Sequence, residues 1–191
     1  MESELVSKET IIAFKNGEQN AFKIIYMAYS KAIYQHLIRL TKNQVMADEM
    51  LQETFLLSIN KSAFFNLREN PEREFRAWLY RLATNLVIDY FRKEKSKNKY
   101  KTDQQFNSIN LTETSLEQML IEDETKNEVI LQIRRLPKSQ QILISLKIFQ
   151  GLSNIEISRI CGLNINAVKQ GLFRARAGLK KRMQLNMEEI R

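Results

Sequence analysis

The chain has 191 residues, 43% hydrophobic and 27% charged, which suits one domain or two small ones with real cores. Its formal net charge of +8 and pI near 9.6 point to a polyanionic partner, nucleic acid first and membrane surface second. A single cysteine, Cys161, excludes an intramolecular disulfide and a thiolate metal cluster, and a lone His36 adds little.

The polar start MESELVSKET carries no apolar signal core. No apolar run approaches the roughly 20 residues that span a bilayer, so no stable membrane insertion and a cytoplasmic location are expected. Five Gly and two Pro, with no Gly between Glu18 and Gln150, are too few turn residues for a strand-and-turn fold. The chain therefore reads as all-α.

In chain order, the first clear element is a long helix. Phe22, Ile25, Tyr26, Tyr29, Ile33, Leu37 and Leu40 recur at three- and four-residue steps, apart from the adjacent pair Ile25 and Tyr26, and mark its core face. Met46–Phe55 is a second helix, in which Leu51 and Phe55, with Ile59 beyond them, can face inward. Asp48, Glu49 and Glu53, with Gln52 among them, form an acidic patch in a basic protein. Such a patch should avoid DNA. It fits a basic protein surface, and equally a solvated helix face.

The stretch NKSAFFNLRENPE reads as a loop ending at Asn70-Pro71, an N-cap followed by Pro at the first helical position. A helix is predicted from Glu72 to Lys95. It mixes Phe75, Arg76, Trp78, Tyr80, Arg81, Tyr90, Phe91, Arg92 and Lys93, and Trp78, Arg81, Asn85, Asp89 and Arg92 fall close to one face. Rings beside cations suit unpaired bases, with stacking worth about 1–3 kcal/mol per base. The same aromatics suit a core, and spacing alone leaves both readings open. Asp89 is placed to pair with Arg92 or Lys93, a structural arrangement rather than a catalytic one.

Charge then changes sign. Arg73–Lys101 holds nine Lys/Arg against three Asp/Glu, and Thr102–Glu128 one Lys against seven acids. Val129–Arg191 holds twelve basic residues against three acidic. Two basic blocks around an acidic stretch rich in Ser, Thr, Asn and Gln predict two helical domains, 1–101 and 127–191, and a linker over 102–126. The linker reads as a solvated tether with a short helix around Leu116–Ile121. Its acidity would also shield the basic faces when no DNA is bound.

The second domain starts with helices at Asn127–Arg135, stopped by Leu136-Pro137, and at Ser139–Phe149, ended by Gly151. SNIEISRICGLNINAVKQGLFRAR follows, two helices with a tight turn. Ser153 and Glu156 have capping-box spacing, and Ile157, Ile160 and Cys161 form the apolar side of the first helix. Ser158 is small, which lets the second helix cross closely, and Gly162 permits a left-handed turn. Asn164 can cap the second helix, with Val168 and Leu172 inward. The outward positions are Asn166, Lys169, Gln170, Phe173, Arg174 and Arg176. Arg and Lys pair with guanine edges or phosphates, Asn and Gln with adenine, and Phe with a thymine methyl. A plain amphipathic surface helix is the alternative.

ADEMLQETFL, FRAWLYRLATNLVIDYFRK and LPKSQQILISLKIFQGLSNIEISRICGLNINAVKQGLFRARAGLKK, in that order and spacing, resemble a bacterial RNA polymerase sigma factor of the extracytoplasmic-function group of the sigma-70 family. The resemblance covers nearly the whole chain outside the linker. It implies a first domain, region 2, that binds the polymerase clamp helices and opens the −10 promoter element. It implies a second, region 4, ending in a helix-turn-helix, that binds the polymerase flap and reads the −35 element.

The resemblance places Asp48, Leu51, Gln52, Glu53 and Phe55 in the polymerase-binding helix. It gives Asn85 and the loop from Lys61 to Phe65 a role in holding flipped −10 bases, with Phe64, Phe65, Arg76, Trp78, Arg81 and Arg92 as the surrounding −10 surface. Asn166, Lys169, Gln170, Phe173, Arg174 and Arg176 fall at the −35 groove, with Lys147 close to upstream DNA. Gly171 stands where the family often carries Arg, which implies one −35 contact fewer and a softer recognition helix. An anti-sigma factor is an implied further partner.

The expected function is promoter selection without catalysis or cofactor. Two rivals are a helix-turn-helix regulator with a ligand-sensing first domain and a helical enzyme with a DNA-binding tail. The basic-aromatic run at Phe75–Lys95 speaks against the first. The second lacks a glycine-rich phosphate loop, a nucleophile–base set and a metal-ligand cluster.

Overall fold

The computed structural model describes residues 6–67, 69–98 and 124–189, and every regular element among them is helical. The chain divides into two compact units, with the boundary between Ile109 and Asn110. The helix expected near Leu116–Ile121 lies outside the described residues.

Among the described residues the first unit holds α1 (Lys8–Lys15), α2 (Gln19–Thr41), α3 (Gln44–Lys61) and α4 (Pro71–Asn98), with a 3-10 turn at Ser62–Phe64. The sequence reading missed α1. Its stripe is only two residues deep, Ile11 and Phe14, both buried. Its start was legible in Ser7, whose side chain accepts from the Thr10 amide at 3.3 Å.

Helix α2 buries Ile25, Tyr29, Ile33, Leu37 and Leu40 as its spacing predicts. Tyr26 departs from the prediction: it is 41% exposed and lies against Phe55 with ring centroids 4.8 Å apart. Two adjacent residues on a helix point about 100° apart, so Ile25 and Tyr26 cannot both occupy the centre of one stripe. The α2–α3 turn is two residues long. Lys42 takes the left-handed conformation at φ 58, and Asn43 caps α3 by accepting from the Met46 amide at 3.0 Å.

Pro71 opens α4 as predicted, and that helix contributes Phe75, Leu79, Tyr80, Ala83 and Val87 to the buried core. Fully buried, Phe75 meets Phe14 at 5.7 Å, Phe65 at 5.3 Å and Trp78 at 5.4 Å. Edge-to-face and tilted ring pairs of this kind add about 0.5–1.5 kcal/mol each beyond burial.

The second unit contains α5 (Glu124–Arg134), α6 (Lys138–Ile148), α7 (Asn154–Cys161) and α8 (Ile165–Glu189). Buried Gln141 joins the first two: its Nε2 donates to the carbonyls of Arg134 at 2.9 Å and Leu136 at 2.5 Å, satisfying acceptors where α5 ends. Ile144, Leu146, Ile157, Ile160, Val168, Leu172 and Ala175 build the core.

Candidate nucleic-acid interfaces

In the second unit, local rules place α7 and α8 as the sequence predicts. Ser153 and Glu156 form a reciprocal capping box, with the Ser153 amide donating to Glu156 Oε2 at 2.7 Å. Gly162 ends α7 in the left-handed conformation at φ 64. Asn164 Oδ1 accepts from the Ala167 amide at 2.7 Å and so starts α8. Ser158, expected only to be small, also donates from its hydroxyl to the Leu163 carbonyl at 2.5 Å, closing the turn.

This frame leaves Asn166, Lys169, Gln170, Phe173, Arg174 and Arg176 exposed on one side of α8. Phe173 is 72% exposed, an unusual cost for a phenyl ring unless something covers it. Lys147, Asn154, Lys169, Gln170, Phe173, Arg174 and Arg176 line an open groove of about 890 Å³, with Leu172 at its floor. Four cations and two amides around one exposed ring suit phosphates and base edges. Lys147 is half-buried and donates to the Leu152 carbonyl at 3.1 Å, so it stands at the groove wall rather than free in solvent. Asn154 was missed because it comes from α7, and no spacing rule within α8 points to it.

Gly171 is buried, on the side of α8 that meets α6. Its visible role is packing rather than a gap in the exposed face. Cys161 is half-buried among apolar neighbours, and burial pushes its thiol up to about 11, so the reactive thiolate is disfavoured.

In the first unit, the loop residues divide sharply. Phe64 is 81% exposed, whereas Phe65 is 6% exposed and packs on Phe75 and Trp78. Lys15 holds this point by donating to the Phe65 carbonyl. Phe65 therefore anchors the loop and is not a base-stacking surface, correcting the expectation that both rings face DNA. The ring needed by the core and the ring left outside are adjacent in sequence, which periodicity cannot resolve in a loop.

On α4, Arg81, Asn85 and Arg92 are exposed as predicted, and Arg92 pairs with Asp89 at 3.0 Å. Trp78 is half-buried between Phe65 and Phe75, each at 5.4 Å. Arg76 is half-buried, with its guanidinium carbon 5.9 Å from the centroid of the Tyr80 ring.

On α3, Asp48, Gln52 and Glu53 are exposed and Leu51 is half-buried. Phe55 is 3% exposed and belongs to the core, not to the outer face. Ile59, expected inward, is 44% exposed, and Val45 and Leu56 are 68% and 55% exposed. Val45, Gln52, Leu56 and Ile59 thus form an apolar stripe, interrupted by Gln52, that the acidic residues drew attention away from.

No helix among the described residues is long and apolar enough to cross a membrane, and no acidic, His or Cys cluster among them could hold a metal ion. The fold and its surfaces define a two-unit, all-helical reader of nucleic acid with a helix-turn-helix in its second unit. Comparison with known proteins narrows the class. The family described as Sigma-70 region 2 matches residues 25–97, and that described as Sigma-70, region 4 matches residues 126–179.

The chain is 32% identical over 189 residues to the ECF RNA polymerase sigma factor SigW of Bacillus subtilis, covering 95% of this chain and 98% of SigW. It is 31% identical over 159 residues to the ECF RNA polymerase sigma factor BldN of Streptomyces coelicolor, covering 83% of this chain and 59% of BldN. The fold is that of CnrH, solved in complex with the cytosolic domain of CnrY, with TM-score 0.65 and 21% identity over 93% of this chain and 96% of CnrH. The chain belongs to the extracytoplasmic-function group of the sigma-70 family. It is a sigma factor, a subunit that gives RNA polymerase its promoter specificity.

Proposed function

We propose a division of labour among three surfaces. The groove face of α8, with Asn166, Lys169, Gln170, Phe173, Arg174 and Arg176, reads the −35 element, while Lys147 and Asn154 line its wall. Exposed Phe64, Arg81, Asn85 and Arg92, with the edge of Trp78, hold unpaired −10 bases. The α3 face, Asp48, Gln52, Glu53 and the flank of Leu51, binds core polymerase, and Leu56 joins it.

The observation that carries this reading is the pairing, within one chain, of two different nucleic-acid surfaces. One is a cationic groove on a helix-turn-helix, suited to duplex DNA. The other is an exposed ring, Phe64, in the same unit as the exposed side chains of Arg81, Asn85 and Arg92, a set suited to unpaired bases. Flipping a base costs a few kcal/mol, which stacking and a fitted pocket offset. Neither small unit needs to bind tightly alone, because attachment of both to one polymerase raises effective concentration.

The chain carries no catalysis of its own in this reading and works in the cytoplasm, where polymerase and DNA meet. A protein inhibitor is a further partner. CnrH was solved with the cytosolic domain of CnrY, and the sigma factor RpoE of Bartonella quintana, of the same fold, with the anti-sigma factor NepR.

The test is run-off transcription by core polymerase and the purified chain on a random promoter library. Enrichment of two separated elements is expected. Tight, specific duplex binding by the chain alone, with no association with core polymerase, would refute the reading.

A further inference from the structure

Two glycines of α8, Gly171 and Gly178, lie seven residues apart and therefore on nearly the same side of the helix. Each faces a leucine of the preceding segment. A Cβ at position 171 would lie 2.4 Å from Leu143 Cδ1, and one at position 178 would lie 3.1 Å from Leu136 Cδ2. The leucines are also seven residues apart, Leu143 within α6 and Leu136 just before it, and both are buried. The pairing of 143 with 171 and 136 with 178 means that the chain directions oppose. Two leucine knobs thus sit on two glycine seats.

Carbon atoms meet comfortably at about 3.5–4.0 Å, so the seat at Gly171 is closer than any side chain permits without movement. A methyl group at position 171 therefore requires Leu143 to turn aside or α8 to move away from α6. Glycine is among the least favoured residues in a helix interior, so a helix carrying two at this spacing calls for a steric reason. The leucines supply one.

The consequence falls on the exposed residues that flank Gly171 along α8. Lys169, Gln170, Phe173 and Arg174 all lie within three residues of Gly171 and are exposed. A helix is stiff across one turn, so a shift at the seat carries these side chains with it. Bidentate contacts to base edges tolerate displacements of only about half an ångström. We infer that Gly171, with Gly178 behind it, seats Leu143 and Leu136 so that α8 lies close to α6, and thereby sets the position from which the recognition face meets −35 DNA. Gly171 is a positioning residue that touches no base. The inference rests on the proposed −35 role of α8.

The test uses the full chain assembled with core polymerase, and reads transcription from paired promoters with the preferred or a scrambled −35 element. Gly171→Ala should lower that ratio about tenfold, as the loss of one good base contact would. Polymerase binding and transcription from a promoter that does not depend on its −35 element should hold. Adding Leu143→Val to Gly171→Ala removes the colliding methyl and should restore much of the ratio. Gly178→Ala, with its milder collision, should give a smaller loss, and it carries the test if Gly171→Ala does not fold.

An unchanged ratio in Gly171→Ala overturns the inference. So does a loss that affects all promoters equally, follows the fraction of folded protein and resists Leu143→Val. A wild-type chain with no −35 dependence overturns the −35 reading itself, which is a distinguishable failure.

Discussion

His36 Nε2 lies 3.0 Å from the Thr84 hydroxyl, joining the C-terminal part of α2 to the middle of α4 across 48 positions of sequence. Both residues are fully buried, and the His36 ring meets Tyr80 edge-on at 5.4 Å. Burial, with a smaller push from Arg39, lowers the imidazole to about 3, and burial raises the Tyr80 phenol to about 12. The pair ties the helix that carries Asn85 to the core, one residue away from that side chain.

A neutral buried histidine makes the first unit sensitive to acid. Above the ordinary value of about 6.5 the imidazole is neutral in both folded and unfolded chains, and its contribution is complete. Below it the unfolded chain takes up a proton that the folded chain refuses until about pH 3. Stability should therefore fall by as much as about 1.4 kcal/mol per pH unit between those limits. Trp78 is the sole tryptophan, so urea unfolding followed by its fluorescence reports this unit. Going from pH 7.5 to 5.0 should cost about 2 kcal/mol, and His36→Gln should flatten the slope. A variant with the wild-type slope would rule out His36 as the source.

Phe64 and Phe65 give a sharper contrast. Replacing buried Phe65 by Ala removes a ring from contact with Phe75 and Trp78 and should cost about 3–5 kcal/mol in unfolding experiments. Phe64→Ala should change stability by less than about 0.5 kcal/mol, because the ring is 81% exposed. It should nevertheless reduce opening of the −10 region, read by permanganate reactivity of unpaired thymines. Normal opening with Phe64→Ala would remove that ring from the −10 surface.

What the sequence made legible was whatever depends on neighbours. The α2 stripe, Asn70-Pro71, the Ser153–Glu156 capping box, Gly162 and the outward set on α8 all follow from spacings of one to four residues. Misplaced residues depend on distant partners. Phe65 is buried because Phe75 and Trp78 come back over it, whereas Phe55 faces inward as its spacing predicts, under Phe22 and Tyr26. Gly171 reads in the sequence as a missing −35 contact, and its packing role depends on Leu143, 28 residues earlier. Charge also misled on α3, where the acids stood out and the exposed apolar residues did not.

Salt dependence separates the cations of the groove from its amide and ring. Lys169→Ala and Arg174→Ala should each weaken −35-dependent promoter binding by about 1–3 kcal/mol. A residue that contacts a phosphate should also lower the slope of log affinity against log salt by about one, and should weaken all sequences alike. One that pairs with a guanine should relax selection at one position. Polymerase binding should be unaffected by either. Promoter binding insensitive to both substitutions would place the DNA face elsewhere.

Adjacent residues on α3 allow the polymerase surface to be tested apart from the fold. Leu56 is 55% exposed, and Phe55 is 3% exposed with its ring 4.8 Å from Tyr26. An exposed leucine gains little from folding, so Leu56→Ala should leave stability within about 0.5 kcal/mol of wild type. If a partner buries it, the same change should lose about 1–2 kcal/mol of binding, or about tenfold in competition for core polymerase. Phe55→Ala should do the opposite first: unfolding should become easier by about 3–5 kcal/mol, and polymerase binding should fall only as folded protein is lost. Gln52→Ala, exposed on the same face, should follow Leu56. Competition against a reference sigma factor measures binding, and fluorescence of Trp78 measures folding, in the same samples. Wild-type competition by both Leu56→Ala and Gln52→Ala would show that core polymerase uses another surface.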